Sequence, residues 1–254
     1  MYISLSPLID APVLLPLTIL TLGVEDIFLA ALAGCAIYGV FHMATGEAKD
    51  ELKKLQTGTT TVGVACSDGV VLASDKRATM GYFIANKDIQ KVYQIDDNLG
   101  MTIAGGVGDA QALIRLMQAE ANLYKFKHGK NISVKAAASL LSNVLHNYKF
   151  YPFYVQLVIA GTEDKPEVYS LDALGGLSEE KYVSTGSGSP IAYGLLEELY
   201  KEGGTVKDNM RAACKAVAAA MKRDAATGER VDLVTITKAG FKRYDKAEVE
   251  KILQ

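Results

Sequence analysis

From residue 60 onward, apolar and polar positions alternate over short runs, move to a spacing of three and four, and then alternate again. Residues 60–66 and 70–75 are two β-rich runs, and Ser67-Asp68-Gly69 between them reads as a hairpin turn. Residues 84–95 and 100–104 suggest further strands. The period then lengthens to about 3.6 residues. Ala110, Leu113, Ile114, Met117, Ala121 and Tyr124 mark one helix face, and Val134, Ala137, Leu141, Val144, Leu145 and Tyr148 mark a second, opened by Ser133 as N-cap. Strand patterning returns at 155–160, 167–171 and 181–185, with a turn-like stretch at 162–166. Two more helices follow, one carrying Ile191, Leu195 and Leu199, the other Val206, Met210, Ala213, Val217, Ala220 and Met221. A hairpin at 232–237 and 241–244 leads into a charged helical tail.

Strands, a helix pair, strands, a helix pair and strands do not make a simple βαβ repeat. The order predicts an α+β chain in which two antiparallel sheets stack face to face with a helix pair outside each, a four-layer αββα sandwich. The first 44 residues differ in character. Runs at 11–24 and 27–44 are almost wholly apolar and are divided by Glu25-Asp26. The second reaches the roughly 18 apolar residues needed to cross a bilayer, whereas the first carries Pro12 and Pro16 and is too short. No basic cluster precedes either, which fits a secretory signal poorly. Three readings stand: a membrane anchor or signal-like segment, an unusual soluble pro-segment, or a start assigned too early, with Met43 as the true first residue. The expected division is a leader at 1–58, of which 1–42 is apolar, and a functional domain at 59–254.

The 254 residues are 49% hydrophobic, enough to build a packed core, and 27 basic residues against 29 acidic ones give no electrostatic reason to expect nucleic acid as a partner. Cys35, Cys66 and Cys214 are too few and too far apart for a disulfide framework or a zinc site. They suit a reducing, intracellular setting. His42, His128 and His146 are equally scattered, so no metal centre, cofactor or histidine-based triad is expected.

The chemistry concentrates in a few segments. Gly58-Thr59-Thr60-Thr61-Val62-Gly63 places a Gly–Thr bond at a strand edge. Cutting that bond leaves Thr59 with a free amine beside its own hydroxyl, which is nucleophile and base in one residue. An α-amine titrates at about 7.7–8.0, close to working pH. Before the cut, the Thr59 hydroxyl can attack the Gly58 carbonyl and pass through an ester. Asp75, at the end of the second strand, can pair with Lys91 in the third, and a lysine near the amine lowers the amine's proton affinity. Ala104-Gly105-Gly106-Val107-Gly108-Asp109 joins a strand to a helix, and the Gly105 N–H is a candidate oxyanion donor. Thr185-Gly186-Ser187-Gly188-Ser189-Pro190 opens another helix; Ser187 can donate to the amine or to Asp224, and Ser189 reads as an N-cap with Pro190 at the first helical position. Asp224 can orient the Thr59 amine. Each segment also has an ordinary reading: strand composition, a surface ion pair, tight strand-to-helix turns, a capping aspartate.

Together these segments resemble the catalytic β subunits of archaeal 20S proteasomes, a family of N-terminal nucleophile hydrolases. The likeness rests on Thr-Gly-Thr-Thr-Thr-Val-Gly at 57–63, Ser-Asp-Lys-Arg at 74–77, Lys91, Ala-Gly-Gly-Val-Gly-Asp-Ala-Gln at 104–111, Thr-Gly-Ser-Gly-Ser-Pro at 185–190 and Arg-Asp at 223–224. It implies the αββα fold and a threonine endopeptidase with Thr59 as nucleophile, exposed by self-cleavage after Gly58. It further implies Asp75 and Lys91 as catalytic partners, Gly105 as oxyanion donor, and Ser187 and Asp224 as supports of the amine. Where the family often has a serine, this chain has Thr227. Ala78, Ile89, Ile103 and Val107 are implied as the pocket for the residue before the scissile bond, with Thr79 also binding substrate, and their apolar character favours cleavage after hydrophobic residues. The resemblance also implies a cytoplasmic location and stacked seven-membered rings shared with α subunits and other β subunits. An ATP-driven unfoldase would supply unfolded polypeptide. Rival readings are a bacterial HslV-type threonine protease, a non-catalytic ring subunit, and a membrane-tethered binding or structural protein.

Overall fold

The structure, a computed structural model, describes residues 58–254. The apolar runs, the readings placed on them and the leader up to residue 57 therefore lie outside the described residues.

The chain forms β1 (Thr61–Ala65), β2 (Gly69–Asp75), β3 (Ala78–Met80), β4 (Phe83–Asn86), β5 (Val92–Asp96), β6 (Leu99–Gly105), α1 (Val107–His128), α2 (Val134–Asn147), β7 (Val155–Thr162), β8 (Pro166–Leu171), β9 (Leu177–Glu179), β10 (Tyr182–Thr185), α3 (Ser189–Leu199), α4 (Val206–Ala220), β11 (Val231–Thr237), β12 (Gly240–Arg243) and α5 (Lys246–Leu253). Two five-stranded antiparallel sheets run in the orders β10-β1-β2-β11-β12 and β5-β6-β7-β8-β9, and β3 pairs with β4 apart from both.

The period-two patterning explains the layers. Val70 and Leu72 of β2 point to the inter-sheet core with Val158 of β7 and Val234 and Ile236 of β11. Val71 and Ala73, one residue out of phase, join Leu196 of α3 and Val217 of α4 on the outer face. In β7 the same alternation sends Leu157 and Ile159 against Leu113 and Met117 of α1 and Leu141 and Leu145 of α2. Central strands are thus covered on both faces, so β2 is buried along its whole length. The expected four-layer αββα arrangement is present, with α5 added to the α3–α4 side through Val249. Helix starts follow local chemistry: the Ser133 hydroxyl accepts the Ala136 N–H, and Thr205 with Asp208 and Asp245 with Glu248 form capping boxes.

Three features differ from the patterning, the first being β3, a three-residue strand that the patterning does not mark. The run at 84–95 is broken, because the Asn86 side chain accepts the Asp88 N–H at 2.8 Å and turns the chain, and ion pairs from Lys76 and Arg230 hold Asp88. Lys91 consequently sits one residue before β5 instead of within a long strand. β9 is an exposed edge strand with no apolar alternation to announce it. No helix among the described residues is long and apolar enough to cross a membrane.

Candidate active site

The register that pairs Thr61 with Ser74 on one side and with Thr185 on the other brings three segments to one sheet end: the start of β1, the end of β2 and the turn after β10. Thr59 and Thr60 are buried there. The Thr59 hydroxyl donates to the Gly58 carbonyl oxygen at 2.7 Å, and Lys91 Nζ lies 3.5 Å from the same oxygen. The nucleophile candidate and the Lys91 amino group therefore meet on the bond whose cleavage would free the amine.

Asp75 has no exposed surface and anchors the arrangement. Its Oδ1 accepts from Lys91 Nζ at 2.7 Å and from the Thr60 N–H at 3.0 Å, and its Oδ2 accepts from the Gly228 N–H at 2.9 Å and the Arg77 N–H at 3.1 Å. Two donors on each oxygen compensate a carboxylate that water cannot reach. Burial pushes the Lys91 ammonium below its ordinary 10.5, and Asp75 acts in the opposite direction by charge and hydrogen bond.

Of the two partners expected for it, Ser187 donates to Asp224 and stands in the reverse sense, as acceptor, to Thr59. It accepts the Thr59 N–H at 3.2 Å and donates to Asp224 Oδ2 at 2.6 Å, so Asp224 reaches Thr59 through the serine hydroxyl. The Thr227 hydroxyl donates to the same Asp224 oxygen at 2.5 Å and lies 2.7 Å from the Thr60 hydroxyl. Threonine in place of serine keeps the bond, and its methyl group is fully buried with it. Ser189 is the first residue of α3 and does not cap it; the N-cap is Gly188 and Pro190 follows in the first turn.

Gly105 ends β6 with φ 117°, and a Cβ there would fall 2.2 Å from the Tyr154 carbonyl oxygen, so the strand-to-helix turn into α1 accepts only glycine. Gly58 is constrained by space instead: a Cβ would sit 1.7 Å from the Ala226 methyl. A small open cleft is lined by Thr59, Lys91 and Gly105 together with Ala78, Ile89, Ile103 and Val107 and by Gly58 itself. The four apolar positions expected to form one wall are thus together beside the threonine. Thr79 lies outside this lining, and its hydroxyl accepts the N–H of Gly58, the residue before the expected cut, at 2.9 Å.

Sequence reasoning missed Thr60, Arg77, Ala226 and Gly228, all of which touch the site. Thr60 sits inside a run of identical residues, and the other three gain their contacts only when the turn after α4 folds against the end of β2. Among the described residues no cluster of histidine, cysteine or carboxylate side chains is arranged to hold a metal ion.

The family model for proteasome subunits matches residues 55–236. The chain is 53% identical over 199 residues to a proteasome subunit beta of Methanohalophilus mahii, covering 78% of this chain and 95% of the relative. It is 54% identical over 199 residues to one of Methanosarcina thermophila, with the same coverage, and 52% identical to one of Methanocaldococcus fervens, covering 77% of this chain and 89% of the relative. The match runs across most of the chain and across nearly the whole of these relatives: the chain belongs to the proteasome subunit family, in its archaeal β branch.

Proposed function

We propose that this chain is the catalytic β subunit of a proteasome core particle, a threonine endopeptidase made as a precursor that cuts itself between Gly58 and Thr59. The observation that carries this reading is the Thr59 hydroxyl resting 2.7 Å from the Gly58 carbonyl oxygen beside the buried Asp75–Lys91 pair. The hydroxyl oxygen attacks the Gly58 carbonyl carbon, the peptide C–N bond breaks, and the nitrogen takes up the hydroxyl proton as an ester forms. Water then hydrolyses the ester, giving a Gly58 carboxylate and a Thr59 with free hydroxyl and amine. The segment that ends at Gly58 leaves as the propeptide, and the chain from Thr59 onward forms the mature subunit.

In the mature subunit the amine accepts the proton of the Thr59 hydroxyl as it attacks a substrate carbonyl, and later relays a proton to and from water. Lys91, oriented by Asp75, keeps the amine's proton affinity low. Ser187, held by Asp224, fixes the amine's position, with Thr227 supporting the aspartate, and the Gly105 N–H stabilises the developing oxyanion. Ala78, Ile89, Ile103 and Val107 offer an aliphatic surface to the residue before the scissile bond, which supports cleavage after hydrophobic residues. Family membership supports assembly with α and β subunits. The fuller arrangement proposed is stacked seven-membered rings in the cytoplasm, fed with unfolded polypeptide by an ATP-driven partner.

The decisive experiment is the intact mass of the chain after co-expression with an α subunit. The expected species runs from Thr59 to Gln254, and Thr59→Ala retains the leader and hydrolyses no peptide. A Thr59→Ala chain that is still clipped at the same bond, or a particle that is active with its leader attached, overturns the proposal.

A further inference from the structure

Glu229 is the single non-glycine residue among the described residues with a left-handed backbone, at φ 73°. Such a conformation persists where the surroundings enforce it. Here the Arg230 N–H donates to the Gly228 carbonyl at 3.2 Å across Glu229, closing the backbone turn, and Arg77 holds the side chain that the turn presents. Arg77 Nε and Nη2 both donate to Glu229 Oε1, at 3.2 and 3.1 Å, and its Nη1 donates to the Ala225 carbonyl at 2.9 Å. The guanidinium lies so close over Gly228 that a Cβ there would fall 2.3 Å from Cζ. The Arg77 N–H and the Gly228 N–H meet on the same Asp75 oxygen. One side chain therefore ties both ends of the 225–229 turn to the strand end that carries Asp75.

We propose that the Arg77–Glu229 pair is a positioning strap, which presses the 225–229 turn onto the end of β2 and so keeps the Gly228 N–H on Asp75 and the Thr227 hydroxyl on Asp224. The strap rests on the proposed role of Thr59 and adds residues that act through Asp75 and Asp224. Its effect is geometric, because a buried carboxylate that loses one of four donors shifts toward the remaining ones and carries Lys91 with it. It is also electrostatic. The charged groups facing Lys91 are Asp75 and Asp224, which hold its proton, and Arg77, whose charge opposes it. Removing the Arg77 charge raises the proton affinity of Lys91 and of the amine beside it, whereas neutralising Glu229 leaves that charge in place.

The test compares Arg77→Met, Glu229→Met, which removes the acceptor, the double variant and Thr59→Ala, each as the full chain co-expressed with an α subunit, by kcat, KM and the pH profile of peptide hydrolysis. Each single variant is expected to lower kcat by about fivefold or more with KM within about twofold. The double variant falls no more than about twofold below the worse single, because either change breaks the same strap. The acid limb of kcat moves to higher pH in Arg77→Met and stays in Glu229→Met. Unchanged kcat in both singles, or losses that multiply in the double variant, overturn the strap. If Arg77→Met does not assemble, Glu229→Met decides alone, since it keeps the length of the side chain without its acceptor, and an unchanged kcat in it overturns the proposal. Peptide hydrolysis surviving in Thr59→Ala overturns instead the reading on which the strap rests.

Discussion

Replacing Asp75 by asparagine keeps the shape of the side chain while removing its charge and turning one oxygen into an NH2 group. The site offers no orientation that suits the amide. With the NH2 in the Oδ2 position it faces the Arg77 and Gly228 N–H groups, and two buried donors lose their acceptor. With the NH2 in the Oδ1 position it faces the Thr60 N–H and the Lys91 ammonium. A buried donor left without a partner costs about 1–3 kcal/mol, and breaking a buried ion pair costs about 3–5 kcal/mol. Asp75 has no exposed surface and Lys91 is only 4% exposed, so solvent screening does little to reduce these figures. Either orientation therefore costs about 3–5 kcal/mol. Lys91, already pushed down by burial, then gives up its proton, and both the Gly58 carbonyl and the Thr59 amine lose their neighbouring charge. Loss of a positioned proton-transfer system lowers rate by roughly 10²–10⁴-fold. In Asp75→Asn, a time course of intact mass should show the leader retained long after the unaltered chain has lost it. Any matured fraction should hydrolyse hydrophobic peptides slower by that factor. Leader removal at the normal rate, with a kcat within about threefold of the unaltered subunit, would refute the reasoning.

Three further outcomes are expected. Gly58→Ala drives a methyl into Ala226 and should stall leader removal, and Ala226→Gly in the same chain should restore part of it, both read by intact mass. Ala78→Val adds bulk to the cleft wall, so kcat/KM for peptides with leucine or phenylalanine before the cut should fall by about 10-fold or more while alanine peptides change little, since a methylene-sized misfit is worth about 1–3 kcal/mol. Burial pushes the Cys66 and Cys214 thiols up from 9.0 to about 12. In the mature subunit both should resist alkylation at mildly alkaline pH until denaturant is added. Because the unfolded chain releases those protons between 9 and about 12 and the folded chain does not, each thiol withdraws stability as pH rises through that window, which denaturant melts at stepped pH will show.

The strands and helices were legible because the layers impose their periods on the chain. Val70 and Leu72 face one layer and Val71 and Ala73 the other, so the run is apolar throughout and bounded by a turn, and α1 and α2 bury the faces that their spacing marks. The break between β4 and β5 was not legible, since the turn at 86–88 is fixed by Lys76 and by Arg230, which is 142 residues away along the chain. β9 left no signal because an edge strand held by backbone pairing to β8 needs no apolar side chains.

For the site, the sequence by itself determined the residue types and their local settings: a threonine after a glycine at a strand edge, a carboxylate ending the next strand, a lysine at the entry to another, and glycine turns opening helices. Those follow from short-range chemistry. The tertiary structure decided which atoms meet. It set the direction of the Ser187–Thr59 hydrogen bond, chose Asp224 as the acceptor behind Ser187, brought the Thr79 hydroxyl to the Gly58 N–H, and folded the 225–229 turn onto Asp75. A hydrogen bond depends on position to within a few tenths of an ångström. Only the packing of two sheets and their helices fixes groups more than a hundred residues apart to that tolerance, whereas the hydrophobic period fixes only the face on which a residue lies.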